Sequence, residues 1–378
     1  MNKKKLLIFI DWYYPAFKAG GPIKSVHNIA NAFKEELDIS IVTSAYDLND
    51  EQPLKEVDLN KWVVPNGIRV IYLDNEHQKK ANLKALIEDV GPDIVYFNSL
   101  FSKPFTLIPL AIAKKLKVEK IVVAPRGMLG QAALEIKPLK KRLFISLSRM
   151  LGLFRGVLWH ASSELEKKEI QITFGKLIDV VIAQNIAGIA TQRKLREDFK
   201  KVGHLKLIFF SRINEKKNLK FSIQVLNKID NPNISLDIYG PIEDEEYWNE
   251  CQQLMKNVNV YYAYKGLIHP SQLSKVLKEY HYLFFPTKHE NYGHVITESL
   301  CASLPVIISN NTPWIDLEKE NVGFDMPLEI SSFANQIQLL LNEGQEDYIK
   351  RVSAAFDYSN KYIVHNNVVE QNRKLFNG

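Results

Sequence analysis

Two glutamates, Glu290 and Glu298, flank Gly293 with seven residues between them in a chain of 378 residues. An ionised carboxylate only accepts hydrogen bonds, so such a pair suits a ligand rich in hydroxyls. Between them, Asn291, Tyr292, Gly293, His294 and Val295 lead from a polar loop into a helical spacing of Val295, Ile296, Ser299 and Leu300. The first N–H groups of a helix lack intrahelical partners and attract anions. Gly293 has no Cβ and allows close approach of a ligand to the backbone. Upstream, Arg212 and Lys217 follow the apolar run 205–210. Arg by its fork and Lys as a point charge clamp a diphosphate. Carboxylates for hydroxyls beside cations for phosphates is the chemistry needed to hold a nucleotide-sugar.

Parallel α/β units must position these residues. The run 282–285 reads as a buried strand ended by Pro286, a helix follows from Gly293, Pro305 stops it, and 306–308 is the next strand. The same grammar opens the chain. Residues 6–10 form a strand, and Pro22 suits the first turn of a helix whose apolar face is Val26, Ile29, Ala30, Phe33 and Leu37. Gly20 and Gly21 at that junction fit either a plain tight turn or the approach of a diphosphate. Further strands are expected at 39–43, 69–73, 93–97, 121–124, 205–210, 234–239 and 258–262, with a polar excursion over 47–61. Helices are expected from Leu219, over 271–280 and after Trp314, and residues 188–203 read as a linker.

The length predicts two domains. The cysteines, Cys251 and Cys301, form neither a disulfide framework nor a metal set, which points to a reducing, cytoplasmic compartment and to no metal. Asp11 interrupts the first apolar run too early for a signal peptide, and no run approaches the ~20 apolar residues of a membrane span. The net charge of +6 favours anionic partners, but no nucleic-acid motif accompanies it. No Gly-x-Gly-x-x-Gly occurs, which argues against a nicotinamide dinucleotide site.

Glu290 and Glu298, followed by Ser299, Leu300, Ala302, Pro305, Val306 and Ile307, resemble the donor-site signature of glycosyltransferase family 4. Ser211, Arg212, Lys217 and Asn218 match that family's phosphate loop, and the resemblance extends over nearly the whole chain. It implies a GT-B fold: two Rossmann-like α/β domains with parallel sheets facing across a cleft. It also implies retention of anomeric configuration, a nucleotide-sugar donor, a saccharide or lipid-linked saccharide acceptor, and no bound metal. Residues 1–187 would be the acceptor-side domain, 204–355 the donor domain, and a helix over about 356–378 would return to the first. In the implied roles Arg212 and Lys217 bind the diphosphate, Glu290 holds the sugar beside the backbone of 291–295, and Glu298 binds the ribose. Gly20 and Gly21 would face the donor phosphate and the acceptor.

Other positions depart from the pattern or stay open. Asn98 stands where the family often has His, and Asn cannot carry a proton or positive charge. The segment 125–128, Pro-Arg-Gly-Met, also occurs in family members that build bacterial surface polysaccharides, and Arg126 there holds an anion or is a surface arginine at a turn. His160 is a sugar-side or a structural residue. Residues 137–155 form a basic amphipathic helix with Leu139, Leu143, Leu147, Met150 and Phe154 at helical spacing. It is either a core-facing helix with a solvated basic back or a helix for an anionic membrane surface. Two other classes remain: a sugar-nucleotide epimerase or other GT-B enzyme, and a non-catalytic GT-B subunit.

Overall fold

The computed structural model describes residues 3–135, 138–187, 200–363 and 366–377. The chain divides into two compact units, residues 1–186 with 366–378, and residues 187–365.

In the first unit the strands are β1 (Lys4–Phe9), β2 (Leu37–Ser44), β3 (Trp62–Val63), β4 (Arg69–Leu73), β5 (Ile94–Phe97), β6 (Lys120–Val123), β7 (Leu158–Ala161) and β8 (Val180–Ile182). They form one sheet in the order β3-β4-β2-β1-β5-β6-β7-β8, parallel except for β3. Its helices are α1 (Gly21–Phe33), α2 (Lys80–Val90), α3 (Ile108–Lys115), α4 (Gln131–Glu135), α5 (Pro138–Met150) and α6 (Glu164–Phe174). Successive strand side chains point to opposite faces. Leu6 and Ile8 therefore join Val26, Ile29 and Phe33 of α1 in one core. Leu7 and Phe9 join Leu83 and Ile87 of α2 in the other. Both faces are covered, which is why these strands read as unbroken apolar runs.

The second unit has β9 (Leu205–Phe210), β10 (Ile234–Tyr239), β11 (Tyr261–Tyr264), β12 (Tyr282–Phe285), β13 (Val306–Ser309) and β14 (Gly323–Met326), all parallel, in the order β11-β10-β9-β12-β13-β14. Its helices are α7 (Leu219–Ile229), α8 (Glu245–Leu254), α9 (Leu273–Leu277), α10 (His294–Cys301), α11 (Ile330–Leu341) and α12 (Gln345–Tyr358). Numbered from its own first strand, this order is 3-2-1-4-5-6, that of a dinucleotide-binding sheet. Ligands bind such sheets beyond the carboxyl ends of the strands where the order reverses. That point lies between β9 and β12.

Several expectations need correction. β11 begins three residues later than expected, because Asp230 holds the backbone N–H and side chain of Asn259 at 2.7 and 2.8 Å in a turn. Only Leu273–Leu277 of 271–280 is α-helical, after a 3₁₀ turn at Pro270–Gln272. No helix follows Trp314; Asp325 instead accepts from the backbone of Asp316 and Leu317, and the chain turns into β14. The returning segment is shorter than 356–378. Residues up to 363 stay with the second unit, where Ile363 is in its core. Only α13 (Asn366–Asn377) belongs to the first, where Val368, Leu375 and Phe376 enter the same core as α1. Phe376 meets Phe33 edge-on at 5.4 Å. Full burial of three such side chains contributes about 2 kcal/mol each, which holds a helix whose other positions are mostly polar. Most of the expected linker, 188–199, lies outside the described residues.

Candidate functional site

In the second unit the predicted cations and one predicted glutamate gather at the β9/β12 switch point. After β9 the chain makes a 3₁₀ turn, Glu215–Lys217, capped by Asn214, whose Oδ1 accepts from the Lys217 N–H at 3.1 Å. Asn218 then takes a left-handed conformation, and its Nδ2 donates to the Pro286 carbonyl at the end of β12, 2.9 Å away. The Lys288 N–H and the Thr287 hydroxyl both donate to the Lys216 carbonyl. The Glu290 N–H donates to Asn311, from the loop after β13. Three strand-end loops are thus laced by backbone bonds, so side chains far apart in sequence are held in a fixed relation.

Lys217 and Glu290 form an ion pair with both side chains largely buried, and the Lys217 ammonium lies over the Phe285 ring. Burial raises the Glu290 carboxyl, but the charge of Lys217, then Lys216 and Arg212, outweighs it and holds the group below its ordinary range. Arg212 is paired as well: it donates to Glu243 Oε1 at 2.7 Å, while Glu243 Oε2 accepts from Asn214 at 2.5 Å. Glu243 was not singled out in the sequence. The available signal was Gly240, where a Cβ would lie 1.8 Å from the Ser211 carbonyl oxygen. Only glycine lets the β10 loop approach the β9 loop closely enough to bring Glu243 to Arg212.

The next segment has the expected shape. Gly293 is left-handed (φ 79°) and heads α10, which carries His294, Val295 and Glu298. A Cβ on Gly293 would come within 2.8 Å of Ile296 Cδ1. Tyr292 is buried; its ring packs edge-on against His294 and Trp314, and its carbonyl accepts from the Trp314 indole. His289 Nε2 and Asn291 Oδ1 are 3.0 Å apart. Burial, then Lys216, lowers the pKa of His289. A neutral imidazole with hydrogen on Nε2 donates to that oxygen, and Asn291 Nδ2 remains a buried donor with no hydrogen-bond partner.

In the first unit the strand order reverses between β1 and β5, and Gly20, Gly21 and Asn98 follow those strands. Gly20 has a positive φ (69°, with ψ −114°) and precedes α1, with Pro22 in the first turn. Asn98 bridges: its Nδ2 donates to the Pro22 carbonyl at 3.3 Å and its Oδ1 accepts from Arg126 Nε at 2.7 Å. Arg126, itself left-handed (φ 53°), also donates to Asn185 Oδ1 and to the Tyr96 hydroxyl. It is a cross-brace between strand ends, not the surface arginine that one sequence reading allowed.

His160 takes the structural of its two readings. Arg126 can only donate, so the Tyr96 hydroxyl accepts from it and gives its own proton to His160 Nδ1 at 2.8 Å. That leaves the hydrogen on His160 Nε2, which donates to the Ala183 carbonyl at 2.8 Å. Both ring nitrogens are used inside the domain, and no sugar-side role is open to them. Burial, reinforced by Arg126, lowers the His160 pKa to about 3. Burial raises that of Tyr96 to about 12. Tyr96 was not among the sequence candidates, because a tyrosine inside an apolar strand carries no signal of its hydroxyl partner.

Comparison with known proteins follows the same division. Residues 191–355 match the family described as Glycosyl transferases group 1. No curated protein matches the chain. Among solved structures, Anabaena Alr3699/HepE in complex with UDP and glucose is similar over 98% of both chains, at 16% identity and TM-score 0.71. Sucrose-phosphate synthase from Thermosynechococcus elongatus is similar over 99% of this chain and 98% of its own, at 14% identity and TM-score 0.71. WaaG, a glycosyltransferase involved in lipopolysaccharide biosynthesis, covers 99% and 100%, at 13% identity and TM-score 0.64. The fold is GT-B. The group 1 match falls on the unit holding Arg212, Lys217, Glu290 and Glu298, and with the GT-B fold it supports a glycosyltransferase. Among the described residues no helix is long and apolar enough to cross a membrane.

Proposed function

We propose that this protein is a retaining glycosyltransferase of family 4. It moves a sugar from a nucleotide-sugar to a saccharide or lipid-linked saccharide acceptor in the cytoplasm, in assembly of bacterial surface polysaccharide or glycolipid. The observation that carries the reading is the meeting of Arg212, Lys217 and Glu290 at the switch point of a 3-2-1-4-5-6 sheet, beside a glycine-headed helix carrying Glu298. In this reading Arg212 and Lys217 receive the diphosphate. Its negative charge grows as the glycosidic bond breaks, and fixed cations stabilise that growth without reorganising. Glu290 and the backbone of 291–295 hold the sugar, with the spare Asn291 amide as a donor to a hydroxyl. Glu298 accepts from the ribose. Gly20 and Gly21 leave room at the head of α1. The relatives solved with UDP and UDP-glucose make the uridine nucleotides the first donors to test.

The test is calorimetry against nucleoside diphosphates and nucleotide-sugars, followed by transfer assays with saccharide acceptors. NMR of the first-formed anomer reads the stereochemistry. Binding of a nucleotide-sugar, then a product with the donor's anomeric configuration, is the expected result. An inverted product removes the retaining assignment. Conversion of the donor sugar without acceptor indicates an epimerase, and absence of nucleotide binding removes the reading.

A further inference from the structure

Helix α5 has two apolar faces, and among the described residues only one is covered. Phe144 and Ile145 pack on the first unit's core, Ser148 is buried with them, and Phe144 meets Phe101 edge-on at 5.4 Å. At about 100° per residue, Leu139, Leu143, Leu147 and Met150 fall in an arc of roughly 80° on the opposite side. They are 81%, 62%, 43% and 75% exposed, and Leu151 in the following turn is 74% exposed. The core-facing alternative from the sequence is therefore incomplete: this helix faces the core with one stripe and water with another.

The surrounding charge says what covers the outer stripe. Lys140 flanks it on one side, Arg142 and Arg149 on the other, and all three are exposed. Arg155, also exposed, follows in the turns after the helix end. Between residues 136 and 163 there is no Asp or Glu. A second copy of this surface would meet it with like charge. An apolar stripe between basic shoulders, with the opposite face fixed to a folded domain, matches the boundary between anionic headgroups and acyl chains.

We propose that the outer face of α5 docks the protein on an anionic lipid surface, with the four helix residues and Leu151 entering the acyl boundary and Lys140, Arg142, Arg149 and Arg155 among the headgroups. Docking of this kind would hold the enzyme where a lipid-linked acceptor resides.

The test is co-sedimentation of the full chain with vesicles of phosphatidylcholine alone or with phosphatidylglycerol added. No substrate is present, so the outcome is independent of the glycosyl-transfer reading. Two triple variants are compared with wild type: Leu139→Gln with Leu143→Gln and Met150→Gln, and Lys140→Gln with Arg142→Gln and Arg149→Gln. Lys141 is left alone because its ammonium is bonded to the Ala133 carbonyl. All six substituted side chains are exposed, so the melting midpoint should stay at the wild-type value and serves as the fold control. Wild type should bind the anionic vesicles and leave them as salt rises and the Debye length falls from about 10 Å at 0.1 M to about 3 Å at 1 M. Each basic side chain at such a surface contributes about a fivefold factor in partitioning, so the charge variant should lose on the order of 100-fold. The stripe variant should lose binding even at the lowest salt concentration. Failure of wild type to bind at low salt, equal binding to neutral vesicles, or unchanged binding in both variants overturns the proposal. So does a dimer, seen by light scattering, that the stripe variant abolishes while vesicle binding persists.

Discussion

Replacing Glu290 by Gln separates the pairing in this structure from a simple picture in which Glu290 only touches the sugar. Lys217 and Glu290 are in contact, and each side chain is 11% exposed. At about 3 Å and an effective dielectric near 20 their attraction is about 5 kcal/mol, offset in part by the cost of desolvating both ions. Gln is nearly isosteric but neutral, so Glu290→Gln leaves the Lys217 ammonium buried without its counter-ion. Removal of one partner of a buried pair costs about 3 kcal/mol, and the variant should be less stable by that order in urea unfolding. The pH dependence has a definite sign. The folded carboxyl is held below its unfolded value, so its contribution is present above the unfolded pKa and is lost as pH falls through the folded one. The gap between wild type and variant should therefore close in acid. Ligand binding should move the other way. Glu290 already compensates Lys217, so a diphosphate arriving at Lys217 competes with it. Freeing the ammonium should tighten nucleoside diphosphate binding by about 1 kcal/mol, part of the value of a charged hydrogen bond, while sugar transfer falls. Calorimetry with UDP and urea titrations read both effects. A variant as stable as wild type that binds UDP more weakly would refute the pairing argument.

Arg212→Ala and Lys217→Ala should each weaken diphosphate binding by roughly 1.5–3 kcal/mol and leave the free nucleoside unaffected; UDP affinity unchanged from wild type in both variants would remove the diphosphate role of this loop. Glu243→Gln both loosens Arg212 and removes a carboxylate that competes for it, so these effects oppose and UDP binding should change less than in Arg212→Ala; a loss as large as in Arg212→Ala would contradict that role. Glu298→Gln should weaken UDP and UDP-sugar alike by about 1–3 kcal/mol, as expected of a ribose contact, and loss confined to the sugar nucleotide would reassign it. Because His160 is neutral in the fold down to about pH 3, the unfolded chain binds the extra proton first, and stability should be present above the ordinary His range and fall in acid. This group alone should cost about 2 kcal/mol at pH 5 relative to pH 8, and a His160→Gln variant with the same pH slope between those limits would show that the slope comes from elsewhere.

The sequence by itself determined the grammar. Runs such as 6–9, 205–210 and 282–285, short and bounded by polar or turn residues, read as buried strands, and glycine before an apolar helical spacing marked the start of α10. Arg212, Lys217 and both glutamates stood out because residue type and spacing within one loop are local. What only the tertiary structure decided was which of these groups meet. Lys217 pairs with Glu290 across 73 residues, and Arg212 with Glu243 across 31. Those pairings exist because strand order brings the loops after β9, β10 and β12 together, and nothing local encodes strand order. The four-residue brace of Tyr96, Asn98, Arg126 and Asn185 is hidden for the same reason, and it turned His160 into a neutral core residue. The strands β3, β7, β8 and β14 escaped detection because β3 and β8 have only two and three residues and the apolar runs of β7 and β14 are broken by His160 and Asp325, whereas four-residue strands without such a break, such as β12, were legible. In α5 the spacing revealed an apolar face but not which face the domain would use. That depends on where Phe101 and the strands beneath it lie, and packing left the leucine stripe in water.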